Sequence, residues 1–307
     1  MLVKKPLVVV SLTTLPSRYN VLENCIKYLS NQTYPVSQIY ITIPKISRRL
    51  NIPYPPIQKS ILDNPLCKIV HSEIDYGPIT KIYGGLVSVT DPNTLIVVCD
   101  DDVEIKPNHI QEMVKSHLLY PNDVICGTAS KIGLGDTIFK GVAIHFNVCT
   151  PFDVRGVFGF KNGSLVDVPF GVGTYLFPRK NFPTNETLHD EIFKYVEHSN
   201  NIFVNDDILV GSYLNKNNIK IRVFTTIPLV PVNFNVADAL SQNFFVSQKT
   251  LNNAVTELKK LGFFTTTEQV SVYETLLFKS IFLIFIVLIF ILLIIYFKYN
   301  PFITPLF

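Results

Sequence analysis

Three consecutive aspartates, Asp100, Asp101 and Asp102, directly follow the most apolar strand-like stretch of the chain, TLIVVC at 94–99. In parallel α/β sheets, ligands bind outside the carboxyl ends of the strands. Adjacent carboxylates repel one another, so such a cluster costs stability unless a cation is present. Carboxylate oxygens suit Mg²⁺ or Mn²⁺, which also take phosphate oxygens as ligands. The position after an apolar strand favours a metal site over the plainer interpretation, a solvated acidic turn.

A second acidic pair, Asp206 and Asp207, follows Asn205 at the start of a helical pattern. A carboxylate there could act as a general base or orient an acceptor hydroxyl. Alone, the pair is better explained as an N-cap followed by first-turn acids. Together with the upstream aspartates, the two interpretations carry equal weight.

Two loops have the composition of anion-binding segments. In DYGPITK at 75–81, a Gly-Pro turn precedes a helix, and a helix N-terminus with Lys81 suits a diphosphate. In SLTTLPSR at 11–18, hydroxyl groups and Arg18 could contact a base, a ribose or a phosphate. The alternatives are a plain strand-to-helix turn and helix capping by Ser17.

The elements that must position these residues alternate in the first half of the chain. Strand-like runs occur at 7–13, 38–43, 67–71 and 94–99, with helical patterns after Ser17, at 79–89 and after Pro107. This alternation predicts an α/β fold with a mostly parallel sheet. In the second half we predict strands at 124–128, 138–146, 164–170 and 219–225, and helices at 188–198, from Asp206 and at 251–261. Residues 47–65 and 170–174 are predicted loops.

Composition excludes several classes of protein. The 307 residues carry 27 Lys and Arg against 24 Asp and Glu, a net charge of +3, which excludes a strongly polybasic nucleic-acid binder. With 48% hydrophobic and 17% charged residues, the chain is not disordered. Its five cysteines lie far apart without a CxxC pair, which argues against a disulfide framework or a structural zinc site and indicates reduced thiols in the cytosol.

Residues 280–297 form an uncharged apolar run, SIFLIFIVLIFILLIIYF, between Lys279 and Lys298. At about 1.5 Å per residue, a helix of this length nearly spans a hydrocarbon core of about 30 Å. A buried core helix is the weaker interpretation, because the run has no polar face. We expect a single-pass, tail-anchored membrane protein with its bulk in the cytosol, since no signal peptide is recognisable.

The segments SLTTLPSR, DYGPITK, LIVVCDDDV, PFGVGTYLFP and NDDILVGSYL, in this order, resemble the GT-A glycosyltransferases, in particular the family-2-like group, over residues 5–235. The resemblance implies a Rossmann-like GT-A domain at 1–245 with helices on both faces of the sheet. A juxtamembrane helical segment at 246–279, the span at 280–297 and a tail at 298–307 would follow. The implied reaction is hexosyl transfer from a nucleotide sugar, most often a UDP-sugar, with Mn²⁺ or Mg²⁺, to a glycan, lipid or protein hydroxyl.

By the same resemblance, Asp102 and Asp100 correspond to the metal ligands of a DxD motif, Asp207 to the catalytic base and Asp206 to its partner. The residues that would hold the donor nucleotide and sugar are Thr13, Arg18, Asp75, Lys81, Asp100, Asp101, Gly171 and Gly173. The late pair is Asp-Asp where Glu-Asp is usual, and no Gln-x-x-Arg-Trp motif follows, which disfavours the processive cellulose-synthase type. Inversion and retention of configuration both stay open.

Two other functions compete with glycosyl transfer. A nucleotidyltransferase shares the fold pattern and the acidic metal site, but SLTTLPSR lacks the expected Gly-rich loop with Lys and Arg. A non-catalytic, membrane-anchored protein of this fold is the other alternative, and the presence of both acidic clusters argues against it.

Overall fold

A computed structural model describes residues 5–132, 138–140, 162–170, 174–224, 226–227 and 244–264, together with Ile284, Phe285, Leu288 and Ile291. The chain divides into two compact units. The first comprises residues 1–132 and 136–267, and the second comprises residues 133–135 and 268–307. The described residues up to 264 all lie in the first unit.

The first unit contains both strands and helices. Its described strands are β1 Val8–Thr13, β2 Gln38–Pro44, β3 Ile46–Ser47, β4 Ile52–Pro53, β5 Cys67–Ser72, β6 Leu95–Val98, β7 Val124–Cys126, β8 Ala129–Ile132, β9 Ile138–Lys140, β10 Ser164–Val166, β11 Val168–Pro169, β12 Tyr175–Pro178 and β13 Ile221–Val223. Its described α-helices are α1 Tyr19–Ser30, α2 Lys59–Leu62, α3 Thr80–Ser88, α4 His109–Leu119, α5 Leu188–Glu191, α6 Asn200–Phe203, α7 Asp206–Lys216 and α8 Phe244–Lys260.

The central sheet has the strand order β10-β13-β7-β12-β6-β1-β2-β5 within the described residues. The half built from β6, β1, β2 and β5 is parallel throughout. The predicted α/β fold with a mostly parallel sheet is therefore confirmed, and the first four predicted strands lie where the apolar runs placed them.

The other half departs from a purely parallel pattern. β12 runs antiparallel to both of its neighbours, β6 and β7, and β10 runs antiparallel to β13. β12 has only four residues, YLFP, so no periodicity predicted it. It nevertheless lies in the middle of the sheet with every residue buried. Tyr175 and Phe177 pack in the core on one face of the sheet, and Leu176 packs in the core on the other.

Three predicted elements are wrong in detail. The strand expected at 164–170 is two strands in different sheets, β10 and β11. The helix expected at 188–198 is the short α5 followed by a 3₁₀-helix, Phe193–Glu197. The loop expected at 47–65 contains the end of a small hairpin, β3–β4, and α2. Each of these strands and helices is too short to show a strand or helical period in the sequence.

Alternating side chains of the strands fill a core on each face of the sheet. Val8, Val10 and Leu12 pack towards α1 and α4, whereas Val9 packs towards α3 and α7. Helix α3 lies very close to the sheet, since a Cβ added at Gly84 would lie 2.5 Å from Thr42 Oγ1 and one at Gly85 would lie 2.9 Å from Ser11 Cβ. Only glycine permits this approach, which fixes the position of the first turn of α3.

Helix α8 lies in the stretch predicted as a juxtamembrane segment, yet it is part of the first unit. Its side chains Leu251, Ala254, Val255 and Leu258 are buried in the core on the α3 and α7 face. They pack against α6 and α7.

The predicted membrane span at 280–297 lies outside the described residues except for Ile284, Phe285, Leu288 and Ile291. These four residues are helical and their side chains are exposed. In the described part of the chain, no helix has both the length and the apolar character needed to cross a membrane.

Candidate functional site

The polar residues singled out from the sequence converge at one edge of the central sheet. Because β1 and β6 are parallel neighbours, the loop after β1 and the three aspartates after β6 emerge side by side. β12 runs in the opposite direction, and its first residue, Tyr175, is paired with Val98, the last residue of β6. This edge is the carboxyl end of the parallel strands, where ligands bind in open α/β sheets.

Arg18 joins the first loop to two of the strand-end aspartates. Its Nη1 lies 2.7 Å from Asp101 Oδ1 and its Nη2 lies 3.1 Å from Asp102 Oδ2. Thr14 Oγ1 donates a hydrogen bond to Asp101 Oδ2, and Tyr54 Oη donates one to the Thr14 carbonyl over 2.9 Å. Asp101 is thus a buried anchor for the first loop.

Lys81 joins the third strand-end aspartate to the late acidic pair. Its Nζ lies 2.7 Å from Asp100 Oδ1, 2.8 Å from Asp206 Oδ2 and 3.8 Å from Asp207 Oδ1. The Asp206 contact is an ion pair without well-aligned hydrogen-bond geometry. The two acidic clusters, separated by about a hundred residues in sequence, are therefore parts of one site.

Two predicted donor-binding residues have their polar atoms bound within the protein. Asp75 accepts hydrogen bonds from the backbone N–H groups of Arg48 and Gly77 over 2.7 and 2.8 Å, so it stabilises the turn before α3. Thr13 Oγ1 donates to the Thr42 carbonyl over 2.8 Å. The predicted loop residues Gly171 and Gly173 lie outside the described residues.

Other residues at this edge were missed by the sequence reasoning. The Tyr175 hydroxyl is fully buried, has no hydrogen-bond partner within the described residues, and interacts electrostatically with Lys81 and the late acidic pair. Thr174 has a positive φ of 61°, rare for a β-branched residue, and its hydroxyl lies 2.6 Å from Nε2 of the buried His109. The sequence signal for Thr174 and Tyr175 was their position directly after the glycine-rich stretch at 171–173.

Residues 17–151 match the family model of glycosyl transferase family 2. The resemblance to the GT-A glycosyltransferases is confirmed. The matched stretch includes Arg18, Asp75, Lys81 and the three strand-end aspartates, whereas the late acidic pair lies beyond it. No curated protein matches the chain.

Among the described residues of this cluster, the carboxylates outnumber the cations. Five carboxylates face the two cationic groups of Lys81 and Arg18; they belong to Asp100, Asp101, Asp102, Asp206 and Asp207. Burial, and then the negative charges of Asp100 and Asp101, raise the pKa of Asp102 to about 7. Burial also raises the pKa values of Asp101 and Asp206, although Arg18 and Lys81 oppose the rise. The uncompensated negative charge makes the site receptive to a cation.

The donor set fits a divalent cation shared with a phosphate ligand. Asp100 and Asp102 have side chains 26% and 12% exposed, whereas that of Asp101 is 4% exposed and held by the first loop. In the described part of the chain, no group of three or more His, Cys, Asp and Glu residues could enclose a metal ion. One or two carboxylates completed by substrate phosphates and water are typical of Mg²⁺ sites in phosphate-handling enzymes.

The raised pKa of Asp102 predicts that the substitution Asp102→Asn stabilises the metal-free protein at high pH. The pKa of Asp102 is about 7 in the folded protein, compared with the usual 3.8. Protonation of Asp102 therefore stabilises the folded state fully below about pH 4, and this stabilisation is lost as the pH rises through 7. Thermal unfolding of the full chain in chelator should show a Tm about 2–4 °C higher for Asp102→Asn at pH 8. The gap should be clearly smaller at pH 5 and should close only as the pH falls below about 4.

Asp63→Asn is the matched control, because Asp63 forms an exposed ion pair with Lys59. It should show no pH-dependent gap of this size. An Asp102→Asn gap that is equal at pH 5 and pH 8 would contradict the assignment of the buried charge to Asp102.

Proposed function

We propose that this protein transfers a hexosyl group from a nucleotide-sugar donor, most often a UDP-sugar, to a hydroxyl group of a glycan, lipid or protein acceptor. The observation that carries the proposal is the single cluster in which Lys81 bridges Asp100 at a strand end to Asp206 and Asp207 at a helix start. Glycosyl transfer with inversion uses an acidic donor site and a separate carboxylate for the acceptor, and the two acidic clusters at this edge support such a division of roles. The match of residues 17–151 to glycosyl transferase family 2 supports this reaction class.

Asp207 is the proposed general base. It accepts the proton of the acceptor hydroxyl as that oxygen forms its bond to the anomeric carbon, while the bond from this carbon to the diphosphate oxygen breaks. Its side chain is 14% exposed, compared with 9% for Asp206, and it lies farther from Lys81. Of the pair, Asp207 is therefore the better placed to meet a substrate.

Asp102 and Asp100 are the proposed metal ligands. Mn²⁺ or Mg²⁺ would supply charge neutralisation for the departing nucleoside diphosphate. Arg18, held between Asp101 and Asp102, presents its guanidinium at the same edge, where it can contact a donor phosphate.

A donor screen tests the proposed activity. Purified full-length protein should release nucleotide from one of a set of UDP-, GDP- and CMP-sugars with Mn²⁺, and excess EDTA should weaken nucleotide binding measured by calorimetry. Asp102→Ala should abolish this metal-dependent part, whereas the exposed Asp63→Ala should retain it. Equal nucleotide affinity with and without EDTA would contradict metal use, and pyrophosphate release from nucleoside triphosphates would favour nucleotidyl transfer.

Asp207→Asn should lower turnover by about a hundredfold or more, a typical size for the loss of general acid–base catalysis. The variant keeps nearly the same shape, and nucleotide binding should be little changed because Asp102 is on a different segment. Asp190→Asn in the exposed first turn of α5 is the control and should remain active. Near-normal turnover in Asp207→Asn with loss in Asp206→Asn would transfer the role to Asp206.

We also propose that the apolar run at 280–297 attaches the protein to a membrane. Its length and lack of charge support this, and so does the exposure of Ile284, Phe285, Leu288 and Ile291. The full chain should resist extraction by alkaline carbonate, and Leu288→Arg with Ile291→Arg should release it, because arginine in the middle of a span costs about 2.5–3.5 kcal/mol. Leu165→Arg, at an exposed leucine of β10, is the control and should leave the protein attached to the membrane. Extraction of the unmodified chain would contradict the proposal.

A further inference from the structure

The Lys81 ammonium is enclosed by carboxylates at the sheet edge. Its side chain is 4% exposed, and its Nζ contacts Asp100, Asp206 and Asp207 at 2.7, 2.8 and 3.8 Å. A group that could bind a diphosphate directly should present its charge to the solvent side of the edge. Here the charge is satisfied by three acids from two distant segments.

The backbone that carries Lys81 is fixed to the sheet. Ser11 Oγ donates a hydrogen bond to the Lys81 carbonyl over 2.6 Å and accepts one from the Gly85 N–H over 2.8 Å. The N–H of the neighbouring Gly84 donates a hydrogen bond to Thr42 Oγ1 over 2.9 Å. The backbone at Lys81 therefore has a set position relative to β1 and β2.

The start of α7 depends on this ammonium more than on ordinary capping. The N-cap residue, Asn205, makes no side-chain capping hydrogen bond to α7, and its Nδ2 donates instead to the Asn201 carbonyl. Asp206 is buried and faces Lys81, so without that cation a buried carboxylate would be left uncompensated. The location of the next residue, Asp207, follows from the location of Asp206.

We propose that Lys81 is a positioning residue that acts through Asp206, holding Asp207 at a fixed place beside Asp100, and that it is not a ligand of the donor diphosphate. The inference rests on the proposed function, in which Asp207 is the base. It revises the sequence-based expectation that Lys81 binds the diphosphate. The donor phosphates are left to the cation proposed at Asp102 and to Arg18, whose side chain is 11% exposed compared with 4% for Lys81.

Kinetics of the full chain separate the two roles of Lys81. Lys81→Met should lower kcat on the order of tenfold to a hundredfold, as expected for a displaced catalytic group. The Kd for UDP with Mn²⁺, measured by calorimetry, should change less than about threefold. The reason is that the ammonium removed by the substitution makes no contact with the bound nucleotide. A tenfold or larger rise in this Kd with kcat retained would overturn the inference and make Lys81 a donor ligand.

Two controls separate positioning from general damage. Lys115→Met removes an exposed lysine paired with Glu112 and should leave kcat and Kd unchanged. Leu258→Ala creates a cavity in the core where α8 packs against α6 and α7, without removing any charged group of the cluster. It should lower Tm without a comparable loss of kcat. If Leu258→Ala lowers kcat as much as Lys81→Met does at a similar Tm, the positioning role is overturned.

A double-mutant cycle tests the Lys81–Asp206 pair without any substrate. Lys81→Met alone leaves Asp206 buried and unpaired, so it should lower Tm by several degrees, and adding Asp206→Asn should recover roughly half of that loss or more. A double variant as unstable as the sum of the two single variants would overturn the pairing. An unmodified chain that is inactive with every donor would instead overturn the proposed function, and the cycle would still decide whether Lys81 holds Asp206.

Discussion

The arrangement of this protein depends on the neutralisation of carboxylates that are buried at one edge of the sheet. Burial penalises the charged form of each acid, as the raised pKa values of Asp101, Asp102 and Asp206 show. Burial alone would lower the pKa of Lys81, but the surrounding carboxylates outweigh it and raise this pKa well above its usual value. Because a lone buried charge is so costly, each cation and its acids must be brought together by the fold. The chemistry of the site is a consequence of this pairing.

Close packing of α3 makes the pairing possible. Gly84 and Gly85 let the helix approach β1 and β2 so closely that the hydroxyls of Ser11 and Thr42 accept hydrogen bonds from its backbone N–H groups. A larger residue at either glycine would move the helix away from the sheet and carry Lys81 with it. Two small residues of α3 thus set the position of the Lys81 charge at this edge of the sheet.

The sequence was informative where local pattern and global fold agree. The runs before Thr13 and Asp100 are long and apolar, so they predicted parallel strands and the place where the acids emerge. The position and direction of β12 in the sheet could not be predicted. Its four buried residues are too few to show a period, and its antiparallel insertion depends on tertiary packing. Residue type indicated that Asp75 could meet a ligand, but only the folded turn shows its carboxylate occupied by two backbone N–H groups.

The same limit applies to the late acidic pair, and the fold resolves it. Adjacent residues in a helix point about 100° apart, since 3.6 residues complete a turn, so Asp206 and Asp207 cannot face the same partner equally. Asp206 faces Lys81 at 2.8 Å, and Asp207 remains at 3.8 Å with more of its side chain exposed. Two chemically identical residues thereby have different surroundings. Asp206 is held in the ion pair with Lys81, and Asp207 is the more exposed of the two. In the proposed reaction this exposure makes Asp207, and not Asp206, the carboxylate that can meet an acceptor hydroxyl.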